Sequence, residues 1–473
     1  MSHYDTIIIG AGMSGLAAGI RLAYYDQRVC ILERHTTIGG LNSFYRLDGR
    51  NYDVGLHAVT NFTSKGARKG PLARLLRQLR FSWDDFCLSP QIGSTIAFPG
   101  ISLRFNNNFE FLRSEVHRNF PGEKDNFARL AETVVEYDDL DERVARCSAR
   151  TIVSDIIQDP LLVDMLFCPL MFYGSAREND MDFAQFSIMF RSIFMEGLAR
   201  PWAGVRVILK NLVRRFKQLG GELRLRAGVQ RMEVERDRVS RIILDDGTLI
   251  EGDRVLSSAG WFETMRMCAD DRPSQPQAPE AGPGQLSFVE SVSVLDSEPR
   301  ELGCDRTIVF YNDSSNFHWR KPDELVDVRS GVICCPNNFA YDQPLGDGLV
   351  RITALANFDR WKHLPATAYQ AAKRACNQKM VESAVRFIAD FRPHIVATDT
   401  FTPTTIRRFT GHENGAVYGT PEKRWSGTTH LKNLFICGTD QGFVGIIGAM
   451  FSGIAMANRH LLMQRQDDRD AKP

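Results

Sequence analysis

The segment YDTIIIGAGMSGLAAGIRL near the amino terminus restricts the fold more than any other part of the 473-residue sequence. The apolar run before Gly10 predicts a strand, and the small and apolar residues after Gly15 predict a helix. Gly10 suits a tight turn, Gly12 leaves room for a pyrophosphate to approach the backbone, and Gly15 lets the helix pack closely on the sheet. We expect Ser14 to contact the ligand at the same turn. The pattern therefore predicts a Rossmann-type dinucleotide-binding unit.

A second predicted strand ends at Glu33, where an acidic side chain is placed to accept hydrogen bonds from ribose hydroxyls. An acid at this position also disfavours a 2′-phosphate on that ribose. Arg34 follows directly, and the pair Gly39 and Gly40, with Leu41 after it, predicts a second close approach of backbone to the ligand. We expect these five residues to bind the nucleotide.

The order of these features resembles FAD enzymes of the amine oxidase and phytoene desaturase superfamily. The glycine fingerprint, the acidic residue Glu33 and the Gly-Gly pair are followed by an extended segment with Asp53 and Gly55. The resemblance implies FAD as a non-covalently bound cofactor. A second strand-linked G-x-G-x-x-G is absent from the sequence, so we expect no integral NAD(P)H domain. In that superfamily, the run that corresponds to residues 201–260 rebuilds the cofactor domain. The resemblance implies that Val229 meets the adenine and that Ala259 lies near the nucleotide.

The carboxyl-terminal segments TPTTIRRFTG, GAVYG and NLFICGTDQGFVGIIGAMFSG, with DVGLHAV further upstream, sharpen this resemblance. They are similar to prolycopene-type carotenoid isomerases and retinol saturases, and less closely to bacterial phytoene desaturases. The resemblance implies that Asp440, just after Gly438, contacts ribityl or diphosphate hydroxyls of the flavin. It also implies that backbone amides of Gly445, Ile446 and Ile447 lie near flavin N1 and O2, where a helix amino terminus stabilises negative charge.

The length of the chain favours two packed domains over a single core. We predict an α/β protein with a Rossmann-type FAD-binding domain, discontinuous in sequence, and a mixed α+β substrate domain. The FAD-binding domain is predicted from residues 1–70, 201–270 and 420–473. The predicted substrate domain comprises residues 71–200, which are read as helical with irregular loops, and residues 271–419. The second range includes a predicted sheet and a long helix predicted over residues 366–391.

The resemblance implies desaturation, saturation or cis-trans isomerisation of a carbon–carbon bond in a long apolar isoprenoid, by hydride exchange with flavin N5. Segments rich in Phe and Met between residues 167 and 204 suit a tunnel for a flexible hydrocarbon, and they equally suit an ordinary core. The electrons would be exchanged with an external partner such as a quinone, O2 or a reductant.

His57 is the first candidate for a catalytic acid or base, because it follows the Asp53 and Gly55 segment. The alternative is a histidine that orients a loop or the cofactor through hydrogen bonds. Tyr418 in GAVYG is a second candidate, with a place in the substrate wall as its alternative role. Cys437 could suggest a covalent flavin link, but a small strand residue is the preferred interpretation, since the superfamily makes that link elsewhere.

Two other classes of function compete with this hypothesis. An O2-dependent amine oxidase on the same fold would need an aromatic pair beside the flavin, and QGFVGIIGAM offers Phe443 followed by aliphatic residues. A non-catalytic FAD-binding scaffold is the third class, and intact phosphate-binding glycines show binding capacity without showing turnover.

Bulk composition excludes several other classes. A net charge of +1 argues against nucleic acid as a partner, and the ten scattered cysteines form no C-x-x-C pair that would suggest a metal site. No signal peptide or spanning apolar stretch is visible, so a cytoplasmic protein is expected. The basic amphipathic segment PLARLLRQLRF at residues 71–81 has two interpretations, a helix packed on the core or a helix that lies on an anionic membrane.

Overall fold

The computed structural model describes residues 3–138, 147–269 and 282–463. The predicted domain boundary at residues 270–271 and the predicted outer limits at 1 and 473 lie outside these residues. The strands are β1 (His3–Ile9), β2 (Val29–Leu32), β3 (Phe44–Leu47), β4 (Arg50–Asp53), β5 (Leu88–Pro90), β6 (Ser94–Phe98), β7 (Ile101–Phe105), β8 (Ala199–Pro201), β9 (Glu222–Arg224), β10 (Val229–Glu235), β11 (Arg238–Leu244), β12 (Leu249–Ser257), β13 (Cys268–Ala269), β14 (Ser287–Leu295), β15 (Ile308–Asn312), β16 (Val326–Cys334), β17 (Gly348–Ala356), β18 (Ile395–Phe401) and β19 (Leu434–Ile436).

The helices lie between or after these strands along the chain. They are α1 (Met13–Ala23), α2 (Pro71–Leu79), α3 (Phe109–Asn119), α4 (Lys124–Glu136), α5 (Ala149–Ile156), α6 (Pro160–Gly174), α7 (Phe183–Phe190), α8 (Val205–Gln218), α9 (Trp261–Met267), α10 (Phe358–Lys362), α11 (Ala366–Ala384), α12 (Pro403–Thr410) and α13 (Gly445–Met456).

The first sheet has a parallel centre built from three distant parts of the chain. Its parallel strands lie in the order β9, β2, β1, β12 and β19, with Ile8 paired to both Ile31 and Leu256. The hairpin of β10 and β11 joins the start of β12, and β13 pairs with β10. Such short, buried apolar strands need cover on both faces. Helices α1, α8 and α13 cover one face, where Leu16, Leu209 and Ile447 belong to one buried cluster.

The second sheet has seven strands in the order β18, β14, β17, β16, β15, β6 and β7. Its pairs are antiparallel except for the parallel pair of β6 and β15. Successive side chains of a strand alternate between faces, so each face has its own core. On one face, Phe288 and Phe310 join a large cluster with the Phe- and Met-rich residues of α6 and α7. On the other face, Val289 and Tyr311 pack with residues of α11.

This architecture confirms the predicted fold class, a Rossmann-type α/β unit beside a mixed α+β part. The interpretation of residues 71–200 as helical is wrong for β5, β6 and β7, of which β6 and β7 extend the second sheet. In α2 the leucines are buried in the core beneath α1 and α13, whereas Arg74 and Arg77 are exposed. No helix in residues 3–138, 147–269 and 282–463 combines the length and the apolar character needed to cross a bilayer.

Candidate active site

A cavity of about 690 Å³ extends from the glycine turn after β1 to the face of the second sheet that carries Phe288, Glu290 and Thr353. Most of the residues that the sequence predicts for the site line this cavity. They are Gly10, Gly12, Ser14, Glu33, Arg34, Gly39, Gly40, Leu41, His57, Val229, Ala259, Tyr418, Gly438, Gly445 and Ile446. The fold therefore brings together residues from the amino terminus, from the middle of the chain and from the carboxyl-terminal segment.

The turn after β1 leaves room for a ligand at only one of its glycines. A Cβ atom on Gly10 would overlap Ser258, and one on Gly15 would overlap the carbonyl oxygen of Gly10. A Cβ on Gly12 would meet nothing closer than 4.0 Å, at the carbonyl oxygen of Gly39. The amide of Gly39 donates to the carbonyl of Ala11 at 3.0 Å, which holds the second glycine loop against the first. Gly15 itself serves helix packing and does not line the cavity.

Two helices begin at the cavity wall with no side chain capping their first turns. Helix α1 follows Gly12 and α13 follows Val444, and neither residue has a side-chain oxygen that could accept a hydrogen bond from the first turn. The first amide groups of a helix have no partner within the helix, and they carry a partial positive charge. An uncapped helix amino terminus at a cavity suits a phosphate or another anionic group. With the open space at Gly12, the two helix ends fit a dinucleotide that carries a diphosphate and a ring that becomes anionic when it is reduced.

Glu33 is buried, and it ties the nucleotide turn to the end of β2. Its Oε2 accepts a hydrogen bond from the amide of Ala11 at 2.9 Å, and its Oε1 accepts one from the amide of His35 at 3.0 Å. Each carboxylate oxygen has a second lone pair that remains available to a hydroxyl group. Next to it, Arg34 donates to the carbonyl of Val229 at 2.7 Å, which anchors the start of β10 at the same wall.

Asp440 lies behind the cavity wall and not on it. Its carboxylate accepts hydrogen bonds of 2.6 Å from the amides of Trp261 and Thr420, and it is 2% exposed. Thr439, the preceding residue, lines the cavity instead and was missed by sequence reasoning. Contact between Asp440 and a flavin stays a prediction. In the structure, this carboxylate links its own loop to the segments that contain Trp261 and Thr420.

Ile447 and Cys437 also lie in the core and not at the cavity wall. Ile447 is fully buried among residues of α1 and α8, so of the three predicted residues at the start of α13 only Gly445 and Ile446 face the cavity. Cys437 is buried in the same core, and burial raises the pKa of its thiol to about 12. A protonated, buried thiol fits the preferred interpretation of Cys437 as a small strand residue.

His57 and Tyr418 both line the end of the cavity that the second sheet forms. The Nε2 atom of His57 lies 3.0 Å from Thr353 Oγ1 and 3.7 Å from Glu290 Oε1. Burial lowers the pKa of His57, although the Glu290 carboxylate acts in the opposite direction, so the ring is neutral near pH 7. The hydroxyl of Tyr418 donates to the carbonyl of Phe172, and burial raises its pKa. Tyr418 is therefore a wall residue with an engaged hydroxyl.

Four buried charges surround His57, and sequence reasoning missed the roles of all four. Arg351 Nε donates to Glu290 Oε1 at 2.5 Å, and Arg200 Nη2 donates to Asp53 Oδ2 at 2.5 Å. Both arginines also donate to the carbonyl of Leu56. Burial alone would raise the pKa of Glu290, but Arg351 and His57 lower it to about 2, so the carboxylate is ionised. Glu290 is the only charged residue between Leu286 and Leu295, which is a sequence signal that could have revealed it.

Helix α12 covers the cavity from outside, and its place was also not predicted. Arg407, Arg408 and Phe409 line the opening, and the ring of Phe409 lies 5.5 Å from the ring of His35. No group of His, Cys, Asp and Glu side chains among the described residues has an arrangement that could hold a metal ion.

The parallel sheet, the glycine turn and the uncapped helix ends define a dinucleotide-binding oxidoreductase fold. A model of the family described as flavin containing amine oxidoreductase matches residues 13–461. The chain belongs to this family and is a FAD-dependent oxidoreductase.

Individual relatives extend this comparison. The chloroplastic prolycopene isomerase of Arabidopsis thaliana is 23% identical, over 97% of this chain and 82% of the relative. The all-trans-retinol 13,14-reductase of Danio rerio is 24% identical, over 97% of this chain and 87% of the relative. A cofactor-binding redesign of putrescine oxidase has a TM-score of 0.62 at 16% identity and covers 96% of this chain and 98% of that protein, a likeness in fold.

Proposed function

We propose that this FAD-dependent oxidoreductase acts on a carbon–carbon bond of a long apolar isoprenoid by desaturation, saturation or cis-trans isomerisation. The observation that carries the proposal is the continuity of one cavity between the nucleotide turn and an apolar wall of Phe172, Phe288 and Val417. Two relatives whose names specify prolycopene and all-trans-retinol support this substrate class, since each aligns with 97% of the chain.

The cofactor is proposed to lie along the predicted glycines. The diphosphate would meet the turn of Gly10 and Gly12 and the start of α1, and a ribose would meet Glu33. Val229 would contact the adenine, and the amides of Gly445 and Ile446 would face the redox ring. When bound, FAD supplies a ring that accepts or donates a hydride. The predicted FAD-binding ranges 1–70, 201–270 and 420–473, and the substrate ranges 71–200 and 271–419, remain part of this proposal.

The residues of the apolar wall have two tasks in such a reaction. Phe172, Phe288 and Val417 exclude water and hold the hydrocarbon in one orientation, which raises the effective concentration of the reacting carbons. His57 is proposed as the residue that holds or moves a proton at Nε2. Its neutral ring can accept a proton, and Thr353 orients it.

The proposal also covers the electron partner and the location of the protein in the cell. A quinone, O2 or a soluble reductant would complete the redox cycle, and a cytoplasmic protein with peripheral membrane contact would meet its apolar substrate there. The leucines of α2 are buried, so any contact with a membrane would use its arginine face. If the protein does not sediment with anionic liposomes at low salt, the membrane contact is refuted.

The test is anaerobic turnover by the FAD-loaded protein. The reduced and the oxidised protein are each mixed with a cis-polyene carotene, with an isoprenoid alcohol and with primary amines. We expect changes in the flavin absorbance and new isoprenoid products by chromatography and mass spectrometry, with no effect of amines. Flavin bleaching by amines, together with unchanged isoprenoids, would refute the proposal in favour of an amine oxidase.

A further inference from the structure

A row of side chains crosses the second sheet where the sheet faces the cavity. Pairing in the sheet places Val332 opposite Thr353, Thr353 opposite Glu290, and Glu290 opposite Phe401. All four residues line the cavity. An ionised carboxylate and a hydroxyl thus stand in the middle of a wall that is otherwise apolar.

Only one oxygen of the Glu290 carboxylate is engaged by the protein. Arg351 bonds to Oε1, and His57 also approaches this atom, at 3.7 Å. Within residues 3–138, 147–269 and 282–463, no donor makes a hydrogen bond to Oε2. The residue is only 7% exposed and lines the cavity, so the small accessible surface of its carboxylate faces this cavity. Buried acceptors normally have a donor, and here the cavity is the place from which one can come.

We propose that Glu290 recognises the hydroxyl group of the substrate, which is an isoprenoid alcohol and not a pure hydrocarbon. This inference rests on the proposed function, since it names the substrate class of the same cavity. The hydroxyl donates its hydrogen to Glu290 Oε2, and Phe172 and Phe288 contact the hydrocarbon chain. Thr353 and His57 lie close enough to supply a polar surrounding for the hydroxyl oxygen.

The surrounding charges favour a neutral donor over a cationic one. Arg351 already neutralises Glu290, and Arg200 lies beside His57 with Asp53 as its own partner. A substrate ammonium would add a cation to a group that has two arginines and two carboxylates. A hydrocarbon would leave Oε2 dehydrated with no donor. A hydroxyl removes that cost without adding charge, and hydrogen bonds to a charged acceptor are among the stronger ones.

The experiment uses the full-length FAD-loaded protein and three probes with one hydrocarbon chain: geranylgeraniol, its methyl ether and geranylgeranylamine. The ether keeps the oxygen but has no hydrogen to donate. Dissociation constants are measured from the perturbation of the flavin absorbance. We expect the alcohol to bind about 10- to 100-fold more tightly than the ether. The amine is expected to bind more weakly than the alcohol.

Substitutions then test whether Glu290 is the source of the preference for the alcohol over the ether. Glu290→Gln is expected to reduce the preference for alcohol over ether to below about 3-fold while the ether affinity stays the same. Glu115→Gln is the matched control, because Glu115 is a buried carboxylate paired with Arg104 and Arg118 away from the cavity. It is expected to keep the full preference. The ligand series on the unaltered protein tests the proposal even if Glu290→Gln does not fold.

The outcomes separate this inference from the proposed function. Equal binding of alcohol and ether, a preference that survives Glu290→Gln or disappears in Glu115→Gln, or tightest binding of the amine would each overturn the role of Glu290. The proposed function fails on a different result, namely that neither the alcohol nor a hydrocarbon polyene is changed at a carbon–carbon bond.

Discussion

Position 15 carries a packing constraint that a single methyl group would violate. A Cβ there would overlap the Gly10 carbonyl, and the turn would have to shift away from α1. We predict that Gly15→Ala lowers the free energy of unfolding by about 1–3 kcal/mol and weakens FAD binding at least tenfold. Urea denaturation and fluorescence titration with FAD measure the two effects.

Gly448→Ala is the control for this change, since it adds the same methyl group to a helix. Its Cβ would lie 3.5 Å from the nearest atoms, which is an ordinary contact. Alanine also favours the helix by up to about 1 kcal/mol over glycine, so stability is expected to stay or rise. Equal losses in the two variants would contradict the packing argument.

The acid side of the pH profile reports on Glu290. Its pKa is about 2 in the folded protein against an ordinary value of 4.5, mainly because Arg351 and His57 outweigh the effect of burial. A lowered pKa stabilises the fold above the ordinary value and loses this contribution as the pH falls toward the folded value. Near neutral pH the unaltered protein is expected to exceed Glu290→Gln in unfolding free energy by on the order of 3 kcal/mol.

That difference should shrink between about pH 4.5 and about pH 2, as followed by denaturation at stepwise lower pH. Glu132→Gln, at an exposed position of α4, controls for the loss of one carboxylate. A difference that grows on acidification would contradict the assigned charge state.

Single residues were predictable from sequence where a local motif marks them. His57 stands in a short recognisable segment, and it does line the cavity. Glu290 and Arg351 stand in separate strands, and only the pairing of β14 with β17 brings them together. No local pattern encodes a contact between residues that far apart in the chain, so this part of the site needed the structure.

Helix α2 shows the same limit of prediction from sequence for a whole secondary-structure element. Its leucine spacing predicts the helix, whereas the surface on which the leucines pack depends on α1 and α13. We predict that Leu75→Ala, which empties a fully buried position, lowers the unfolding free energy by about 2–5 kcal/mol. Arg74→Ala, on the exposed side, should change it by less than about 0.5 kcal/mol. Chemical denaturation of both variants tests this.

Vesicle binding decides between the two interpretations of α2. If Leu75→Ala abolished binding to anionic liposomes without loss of stability, the apolar face would be a membrane contact and not a core contact.

Other elements show why the substrate part was harder to predict than the nucleotide part. The turn of Gly10 and Gly12 is fixed by steric rules within a few residues. Strands β6 and β7 are short, and β6 finds its partner β15 some two hundred residues later. Helix α11 was predicted to extend to residue 391 and ends at Ala384, because Val385 and the following turn bring the chain back toward β18.

Three separated segments of the chain meet at one cavity, so a bound dinucleotide should stabilise the molecule as a whole. At a free FAD concentration of about 100 times Kd, mass action adds about 2.7 kcal/mol to the free energy of unfolding. Hydrogen exchange should slow at the Gly10 turn, in β10 and at the start of α13 together. Adenosine diphosphate is the control and should leave the start of α13 unprotected. Protection by FAD at the Gly10 turn alone would contradict a shared site.

The account of the whole molecule depends on the chemistry of its substrate. The most direct test is product analysis after anaerobic incubation of the FAD-loaded, reduced protein with an isoprenoid polyene. The account predicts a product that has gained two hydrogens at a carbon–carbon double bond, or a geometric isomer of the same mass, and no product from boiled protein. An unchanged polyene, together with reduction of the flavin by amines in a parallel sample of the oxidised protein, would contradict it.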